Sequence, residues 1–89
     1  GYSYYDKDSN KLIVESLNEF DNILIPVILY GEHNNIVDIK YIPTSIQKGR
    51  NEIANPITDL SNGSYINIMI WKDLGSMVPV FEATVGSAQ

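Results

Sequence analysis

The chain contains no cysteine, a single histidine, and only six cationic side chains against eleven acidic ones, which gives a net charge of −5. The missing cysteines exclude disulfides and thiolate metal sites, so a domain of this size depends on its apolar core for stability. The shortage of Lys and Arg argues against nucleic acid or an anionic membrane surface as a partner, because phosphate binding needs clustered cations. The longest apolar run, Ile23 to Tyr30, is eight residues long, far below the roughly 20 that span a bilayer, and this argues against membrane insertion.

Isoleucine is abundant: 13 of the 89 residues are Ile. Strand-favouring residues (Ile, Val, Tyr, Phe, Trp, Thr) number 31, whereas helix-favouring ones (Ala, Leu, Met, Gln, Glu, Lys, Arg) number 24. Apolar residues recur at a spacing of two, and turn-forming residues interrupt them about every 8 to 12 positions, as in sandwich and barrel folds. The length allows one domain, covering residues 1–89. The sequence therefore predicts a single all-β domain.

Seven segments are predicted as strands: Tyr2–Asp6, Lys11–Leu17, Asn22–Tyr30, Ile36–Ile42, Arg50–Ile57, Ser64–Trp71 and Met77–Thr84. Ile66, Ile68 and Ile70 share one side of their strand and are predicted to face the core. The ordered core is expected over residues 11–84, with residues 1–10 adding a hairpin strand and residues 85–89 forming a tail without a pattern. The predicted architecture is a two-sheet antiparallel β-sandwich of about seven strands.

Two prolines qualify the strand assignments. Pro26 lies inside an apolar strand, and because proline cannot donate to a β-ladder, it is expected at a sheet edge or a bulge. Pro43 is expected to end the strand that begins at Ile36. In that strand Val37, Ile39 and Tyr41 alternate with two charged residues, which predicts a strand with one solvated side.

A calcium-binding loop is the first metal site to test. Asp6, Asp8 and Asn10 have the spacing of the first three ligand positions of an EF-hand loop. Lys11, however, occupies the position of the glycine that turns such a loop sharply, and Leu17 occupies that of the closing glutamate. We therefore predict a polar hairpin turn in which Asp and Asn side chains cap backbone N–H groups, with no calcium-binding loop and no cofactor. Weak binding of a cation at the surface, by Asp6 and Asp8, is the alternative.

Catalytic groups are equally sparse. His33 lies in a loop beside Glu32, and no nucleophile motif surrounds the serines that would have to meet it. Carboxylate pairs occur through the number of acids alone, and glycoside hydrolysis also requires a cleft between them, which so small a domain has difficulty forming. We predict that the chain is not an enzyme and has no catalytic residues.

Tyrosine and tryptophan supply the candidate binding site. Tyr2, Tyr4 and Tyr5 are close together near the start of the chain. Tyr65 and Trp71 lie on the side of their strand opposite the predicted core. Sugar rings stack on exposed aromatic faces while nearby Asn and Asp bind hydroxyl groups, so these five residues are the candidate carbohydrate-binding residues. The alternative is that the rings pack in the core or at its rim, as tryptophan commonly does.

The segment 65–80 has a distinctive order of residues. An alternating strand ends in Trp71, followed by Asp73, a short loop with Met77, and Pro79 before an aliphatic residue. This order resembles the closing motif of a small β-sandwich module found in secreted, multidomain Gram-positive bacterial proteins. In such a motif the tryptophan closes the open end of the sandwich, and the proline starts the last strand at a sheet edge.

The resemblance extends upstream. Residues 25–30 (Ile-Pro-Val-Ile-Leu-Tyr) are similar to the apolar strand of that module, and residues 36–39 resemble its next strand. The resemblance covers residues 11–82 and implies an immunoglobulin-like or fibronectin type III-like fold. Modules of this kind accompany glycoside hydrolases, cellulosome components and surface-layer proteins, so the resemblance implies a non-catalytic role.

Together these features predict an accessory, spacer or interaction module of a larger protein, located outside the cell or at its surface. Gly1 in place of methionine agrees with a module taken from a longer chain. The expected partners are neighbouring domains of the parent protein, a polysaccharide or another surface protein. Two alternatives are a carbohydrate-binding module that uses the aromatic residues and a protein adhesion module that uses an exposed strand edge.

Overall fold

The computed structural model describes residues 1–72 and 79–88, with the backbone alone for residues 79–85. Its seven strands are β1 (Tyr2–Asp6), β2 (Lys11–Ser16), β3 (Phe20–Tyr30), β4 (Ile36–Ile46), β5 (Gly49–Ala54), β6 (Tyr65–Trp71) and β7 (Pro79–Ser87). No helix of membrane-spanning length and hydropathy occurs in the described part of the chain. The prediction of a seven-stranded all-β chain is confirmed.

The strands form two antiparallel sheets that enclose the core. The small sheet has the order β1-β2-β5 and the large sheet has the order β4-β3-β6-β7. All paired strands run antiparallel. The chain crosses between the sheets after β2, after β4 and after β5. This arrangement confirms the predicted two-sheet β-sandwich.

Alternating strand residues build the core between the sheets. Ile66, Ile68 and Ile70 are each at most 1% exposed, as their spacing predicts. The other buried members of the cluster come from both sheets and the connecting segments: Leu12, Val14, Ile23, Ile25, Val27, Leu29, Ile46, Ile57 and Ala88. Because most of these side chains are β-branched, strand propensity and core formation favour the same residues.

The β1–β2 connection is the polar hairpin turn that the sequence predicts. One carboxylate oxygen of Asp6 accepts the Asp8 backbone N–H at 3.1 Å, and the other accepts the Ser9 hydroxyl at 2.9 Å. Asn10 closes the turn with a φ of 54°, a left-handed conformation that asparagine adopts more readily than most residues. The aspartate that matched a calcium ligand is thus used to cap the turn.

Pro26 lies in a central strand of the large sheet, which contradicts the prediction of an edge or a bulge. It is paired with Tyr41 of the neighbouring strand β4. On the other side, pairing between β3 and β6 stops after Leu24 and resumes at Val27. The sheet therefore accommodates a residue without an N–H by interrupting the ladder on one side only.

Pro43 does not end its strand, so that prediction is wrong. β4 continues to Ile46, and Pro43 is paired with Leu24 of β3. Because β4 is the edge strand of the large sheet, alternate N–H groups point away from β3. The Ile39 N–H has this direction and donates to the Asp38 carboxylate at 2.8 Å. Pro43 shares the alternation of Ile39, at a position where the sheet needs no donor.

Two further boundaries differ from the predictions. The fifth strand ends at Ala54, and Ile57, which was expected in that strand, is buried in the loop that follows. The last strand continues to Ser87, although residues 85–89 were expected to form a tail. Its predicted start at Met77 lies outside the described residues. Both strand ends depend on pairing with other strands, which a local sequence pattern does not contain.

The first and last strands meet at one side of the sandwich. Gly86 of β7 lies against the ring of Tyr5, and a Cβ added to Gly86 would stand 3.1 Å from a ring carbon. Glycine at this position leaves room for the ring. β7 therefore has β1 beside it, whereas β4 forms the open edge of the large sheet.

Candidate interaction surfaces

Tyr2 and Tyr4 lie two residues apart on β1 and share the side of the small sheet that faces away from the core. Their side chains are 60% and 41% exposed. The two rings, here called the tyrosine pair, are nearly parallel, with 6.3 Å between centroids and 16° between planes. Ile13, opposite Tyr4 on β2, is only 1% exposed. The pair thus offers aromatic surface to solvent and also lies next to a buried apolar side chain.

Charged side chains of β2 and β5 border the tyrosine pair. Arg50 lies 3.4 Å from Glu15 and 3.8 Å from Glu52. Lys11 lies 3.8 Å from the same Glu52. A hydrogen bond with the Tyr4 hydroxyl is the main reason that the pKa of Arg50 is raised above its ordinary value. These exposed ion pairs contribute little to stability, but they place hydrogen-bond donors and acceptors beside the rings.

Tyr5 points to the opposite side of the small sheet and packs against the core. Its hydroxyl donates to the Asn10 side-chain oxygen at 2.5 Å. Burial raises the pKa of Tyr5 above its ordinary value; a hydrogen bond with Asn55 opposes this effect, and the negative charge of Asp6 adds to it. In this structure the ring is used for packing and the hydroxyl for a hydrogen bond within the fold.

Asn10 and Asn55 complete a network that the sequence analysis missed. The Asn55 amide donates to the Asn10 side-chain oxygen at 3.0 Å, and its own oxygen accepts the Ile57 N–H at 2.9 Å. The Asn10 amide donates to the Ile57 carbonyl at 3.2 Å. Asn55 is 5% exposed, so its polar atoms depend on these partners. The Asn55-Pro56 dipeptide signals a turn, but not a partner 45 residues away.

Tyr65 and Trp71 stand at the two ends of β6, on the side that faces away from the core, as predicted. Tyr65 stacks on Tyr30 of β3, with 4.9 Å between centroids and 15° between planes. The Tyr65 hydroxyl donates to the side chain of Asn34 in the β3–β4 turn at 2.9 Å. Trp71 is paired with Leu24 of β3. Both Tyr65 and Trp71 are half-buried.

The five predicted aromatic residues therefore occupy three places. Tyr2 and Tyr4 lie together on the small sheet, and Tyr5 lies beneath that sheet. Tyr65 and Trp71 are on the large sheet, separated by the length of β6, about 20 Å at 3.3 Å per residue. The structure brings only the tyrosine pair together, and the predicted row of five is not one surface.

A second surface, here called the outer face, is the side of the large sheet that faces away from the core. Pairing, with alternation along β6, places thirteen described residues on it: Leu24, Pro26, Ile28, Tyr30, Ile36, Ile39, Tyr41, Pro43, Tyr65, Asn67, Met69, Trp71 and Ser87. None of the thirteen carries a charge, although charged residues make up 19% of the chain. The charged residues of β4, Asp38 and Lys40, pair with core-facing positions of β3 instead.

Among the described residues of the outer face, the exposed apolar side chains are concentrated at β4. Ile36 is 59%, Ile39 is 40% and Tyr41 is 53% exposed, and Val37, at a bulge, is 38% exposed. The sequence correctly predicts that the apolar and charged residues of β4 are on opposite sides. It does not reveal that the apolar side is the one away from the core, because that depends on which strand lies at the sheet edge.

Asn67 is the half-buried polar member of the outer face; Ser87, the other polar residue among its described members, is exposed. Asn67 pairs with Ile28, and its side-chain oxygen is buried without a hydrogen-bond partner among the described residues. An unsatisfied buried acceptor costs about 1–3 kcal/mol, so this position is a weak point of the sheet. The oxygen is inaccessible to solvent and offers no ready contact to a ligand.

Other polar features of the described residues form no site. A shallow groove of about 430 Å³ lies where β3 begins and β4 ends, lined by Asn22, Ile23, Leu24, Pro43, Thr44 and Ser45. In residues 1–72 and 79–88 no three His, Cys, Asp or Glu side chains lie close enough together to hold a metal ion. His33 is exposed in the β3–β4 turn, as expected.

Comparison with protein-family models, curated proteins and solved structures finds no match to this chain. Its role is therefore inferred from its fold and from its two exposed surfaces. The tyrosine pair is small and bordered by charges, whereas the outer face is large and its described residues are uncharged.

Proposed function

We propose that this chain is a non-catalytic accessory and interaction module of a larger secreted or cell-surface protein, and that its outer face docks against another protein domain. The observation that carries the proposal is the composition of the outer face: eleven of its thirteen described residues are apolar or aromatic, and none is charged. An uncharged apolar partner surface fits it, because a charged partner would lose water without gaining an ion pair.

Physical chemistry favours a protein as the occupant of this face. Folded monomers rarely expose large contiguous apolar patches, and those that do commonly use them as interfaces. Interface centres are depleted in charged residues and enriched in Tyr, Trp and Met, all of which occur here. Ile28 lies in β3, one of the two central strands, and is only 9% exposed, so its neighbours already form a continuous surface around it.

The strand order supports a fibronectin type III-like assignment for the module. In a constant-type immunoglobulin domain the fourth strand pairs with the fifth. Here β4 pairs with β3, which leaves three strands in one sheet and four in the other. The motif around Trp71 resembles modules of exported multidomain proteins, and this resemblance supports the extracellular location that we propose.

The docking surface is tested with bis-ANS, a dye whose fluorescence rises on apolar protein surfaces. We expect Ile39→Lys and Tyr41→Lys to remove most of the fluorescence increase, because each places a charge on the outer face. Leu17→Lys is the matched control, since Leu17 is 73% exposed but lies in the turn after β2. An equal loss in the control, or none in the β4 variants, would contradict the outer face as the docking surface. Turnover of any glycoside or peptide in a substrate panel would refute the non-catalytic role.

The tyrosine pair favours carbohydrate binding as a second candidate function. Two exposed rings with charged hydrogen-bonding groups beside them are suited to a sugar chain, whose rings stack while its hydroxyls bond. If the tyrosine pair binds a sugar chain, Tyr2→Ala and Tyr4→Ala are each expected to weaken glycan binding about tenfold or more, which corresponds to a loss of roughly 1.4 kcal/mol.

The measurement is affinity electrophoresis in gels that contain xylan, soluble cellulose or cell-wall glycan. Tyr41→Ala is the control, because the exposure of Tyr41 lies between those of Tyr2 and Tyr4 but its ring lies on the large sheet. If none of the glycans slows the migration of the unaltered chain, carbohydrate binding is rejected as a function. If Tyr41→Ala abolishes the retardation and the tyrosine-pair variants do not, the sugar-binding site is on the outer face instead.

A further inference from the structure

We propose that the open edge of β4 binds the same edge of a second copy of this chain, antiparallel and centred on Ile39. The inference rests on the proposed role as an interaction module and names one partner for it. It depends on three features of β4: an unpaired edge, a donor that points away from the sheet, and a charge pattern that is complementary to itself.

The open edge has defined limits. β4 is an edge strand of eleven residues, whereas the opposite edge strand of the same sheet, β7, has β1 beside it. A shift in register near Val37 marks a bulge at one end of the regular stretch. At the other end Pro43 has no N–H to offer a further strand. Regular edge backbone between these limits covers Asp38 to Ile42.

The Ile39 N–H shows which backbone groups are available. It points away from β3 and is held by the Asp38 carboxylate at 2.8 Å. In a pair centred on this residue, the Ile39 N–H donates to the carbonyl of the partner's Ile39, and the reverse bond forms by symmetry. The Asp38 carboxylate then no longer accepts the Ile39 N–H of its own chain and becomes available for an ion pair with the other copy.

The charges of β4 select this register. With Ile39 at the centre, Asp38 lies opposite the partner's Lys40, and Lys40 lies opposite the partner's Asp38. Directly opposed side chains have Cβ atoms about 4.5–5.5 Å apart, so two cross-strand ion pairs form. Moving the centre by one residue places the two copies of Lys40 opposite each other, where like charges repel.

A centre at Tyr41 is also unfavourable. It would place Ile39 opposite the partner's Pro43, which has no N–H, and Asp38 opposite the partner's Thr44, which has no charge. The centre at Ile39 instead pairs Asp38, Ile39 and Lys40 of one copy with the Lys40, Ile39 and Asp38 of the other, all within the regular stretch. The two large sheets then join into one sheet of eight strands, and the two outer faces become continuous.

Charge reversal at β4 tests the inference, with sedimentation velocity of the full chain over a wide range of concentration as the measurement. The unaltered chain is expected to dimerise. Asp38→Lys and Lys40→Asp each turn two attractive pairs into two repulsive ones, and each is expected to weaken the dimer about tenfold. The double variant with both changes restores the opposite-charge pairs and is expected to dimerise like the unaltered chain.

A second variant probes the backbone. Ile39→Pro removes the donor at a position where β3 does not use it, and is expected to abolish the dimer; Ile39→Val keeps the donor and is expected to retain it. Circular dichroism and urea midpoints identify any variant that fails to fold. If Ile39→Pro fails to fold, the double charge variant still tests the inference. It carries the same substitutions as the two single variants but again places opposite charges across from each other.

Two results would overturn the inference: a monomer at every concentration, or single charge reversals that leave association unchanged or strengthen it. The second result would mean that Asp38 and Lys40 keep strand edges apart, as charges on edge strands often do. Neither result affects the outer face, because both side chains are on the other side of β4. A monomer that still binds bis-ANS through Ile39 and Tyr41 rejects the dimer and leaves the proposed function in place.

Discussion

Replacing Ile25 by alanine is expected to lower the free energy of unfolding by about 2–5 kcal/mol, the usual cost of removing a buried isoleucine. Ile25 is fully buried in the central strand of the large sheet and belongs to the core cluster. The variant loses apolar contacts and leaves a cavity that two hydrogen-bonded sheets cannot readily close. A domain of 89 residues is stable by about 4–13 kcal/mol, so this single change removes a large fraction of the total.

Urea denaturation followed by circular dichroism measures this loss. Ile36→Ala is the matched control, because the same atoms are removed from a side chain that is 59% exposed. We expect the control to cost less than about 0.5 kcal/mol, as for most surface substitutions. Equal losses at the two positions would mean that the outer face is covered in solution.

The Asn10–Asn55 network is the second sensitive point, and Asn55→Ala is expected to cost about 2–3 kcal/mol. The substitution leaves the buried Ile57 N–H without an acceptor and removes a donor from the Asn10 side chain. Leaving one buried polar group unsatisfied costs about 1–3 kcal/mol. The loss comes from an unpaired donor, so it is large although few apolar contacts are removed.

Asn62→Ala is the control for this prediction. Asn62 is exposed in the turn before β6, and its replacement is expected to change stability by less than about 0.5 kcal/mol. Both variants are compared by urea denaturation, with a common slope of free energy against denaturant. If Asn55→Ala is as stable as Asn62→Ala, the network does not hold the loop after β5.

Local alternation was sufficient to predict the strands and much of the core. Ile66, Ile68 and Ile70 lie inward because side chains alternate strictly along a strand, a property of the backbone that needs no knowledge of the fold. The β1–β2 turn was predictable for a similar reason, since the Asp6 carboxylate accepts the backbone N–H two residues away and the Ser9 hydroxyl three residues away. Interactions of this kind, within about three residues, are visible in the sequence.

Position within a sheet was not predictable. Pro26 and Pro43 are chemically the same, yet one lies in a central strand and the other at an edge. Whether the backbone tolerates each proline depends on whether a strand lies on the side where its N–H would point. Which strands are neighbours is determined by pairing between residues that are far apart in sequence. The same information decides that the apolar side of β4 points away from the core.

The candidate site shows a similar division. Tyr2 and Tyr4 come together because they are neighbours on one strand, which the sequence shows directly. Tyr5 was grouped with them by proximity, but the alternation of β1 sends it to the core side, where it meets Asn10. Tyr65 pairs with Tyr30 across two strands, and that contact is determined by register alone.

The contact between Tyr5 and Gly86 has a consequence for how the chain folds. These two residues lie near opposite ends of the sequence, so bringing them together closes a loop of nearly the whole chain, at an entropic cost that grows with the logarithm of its length. Sandwiches dominated by such distant contacts fold in milliseconds to seconds, more slowly than helical bundles. We expect the β1–β2 hairpin to dock late, after β7 has joined β6, and its amides to exchange with solvent earlier than those of β3.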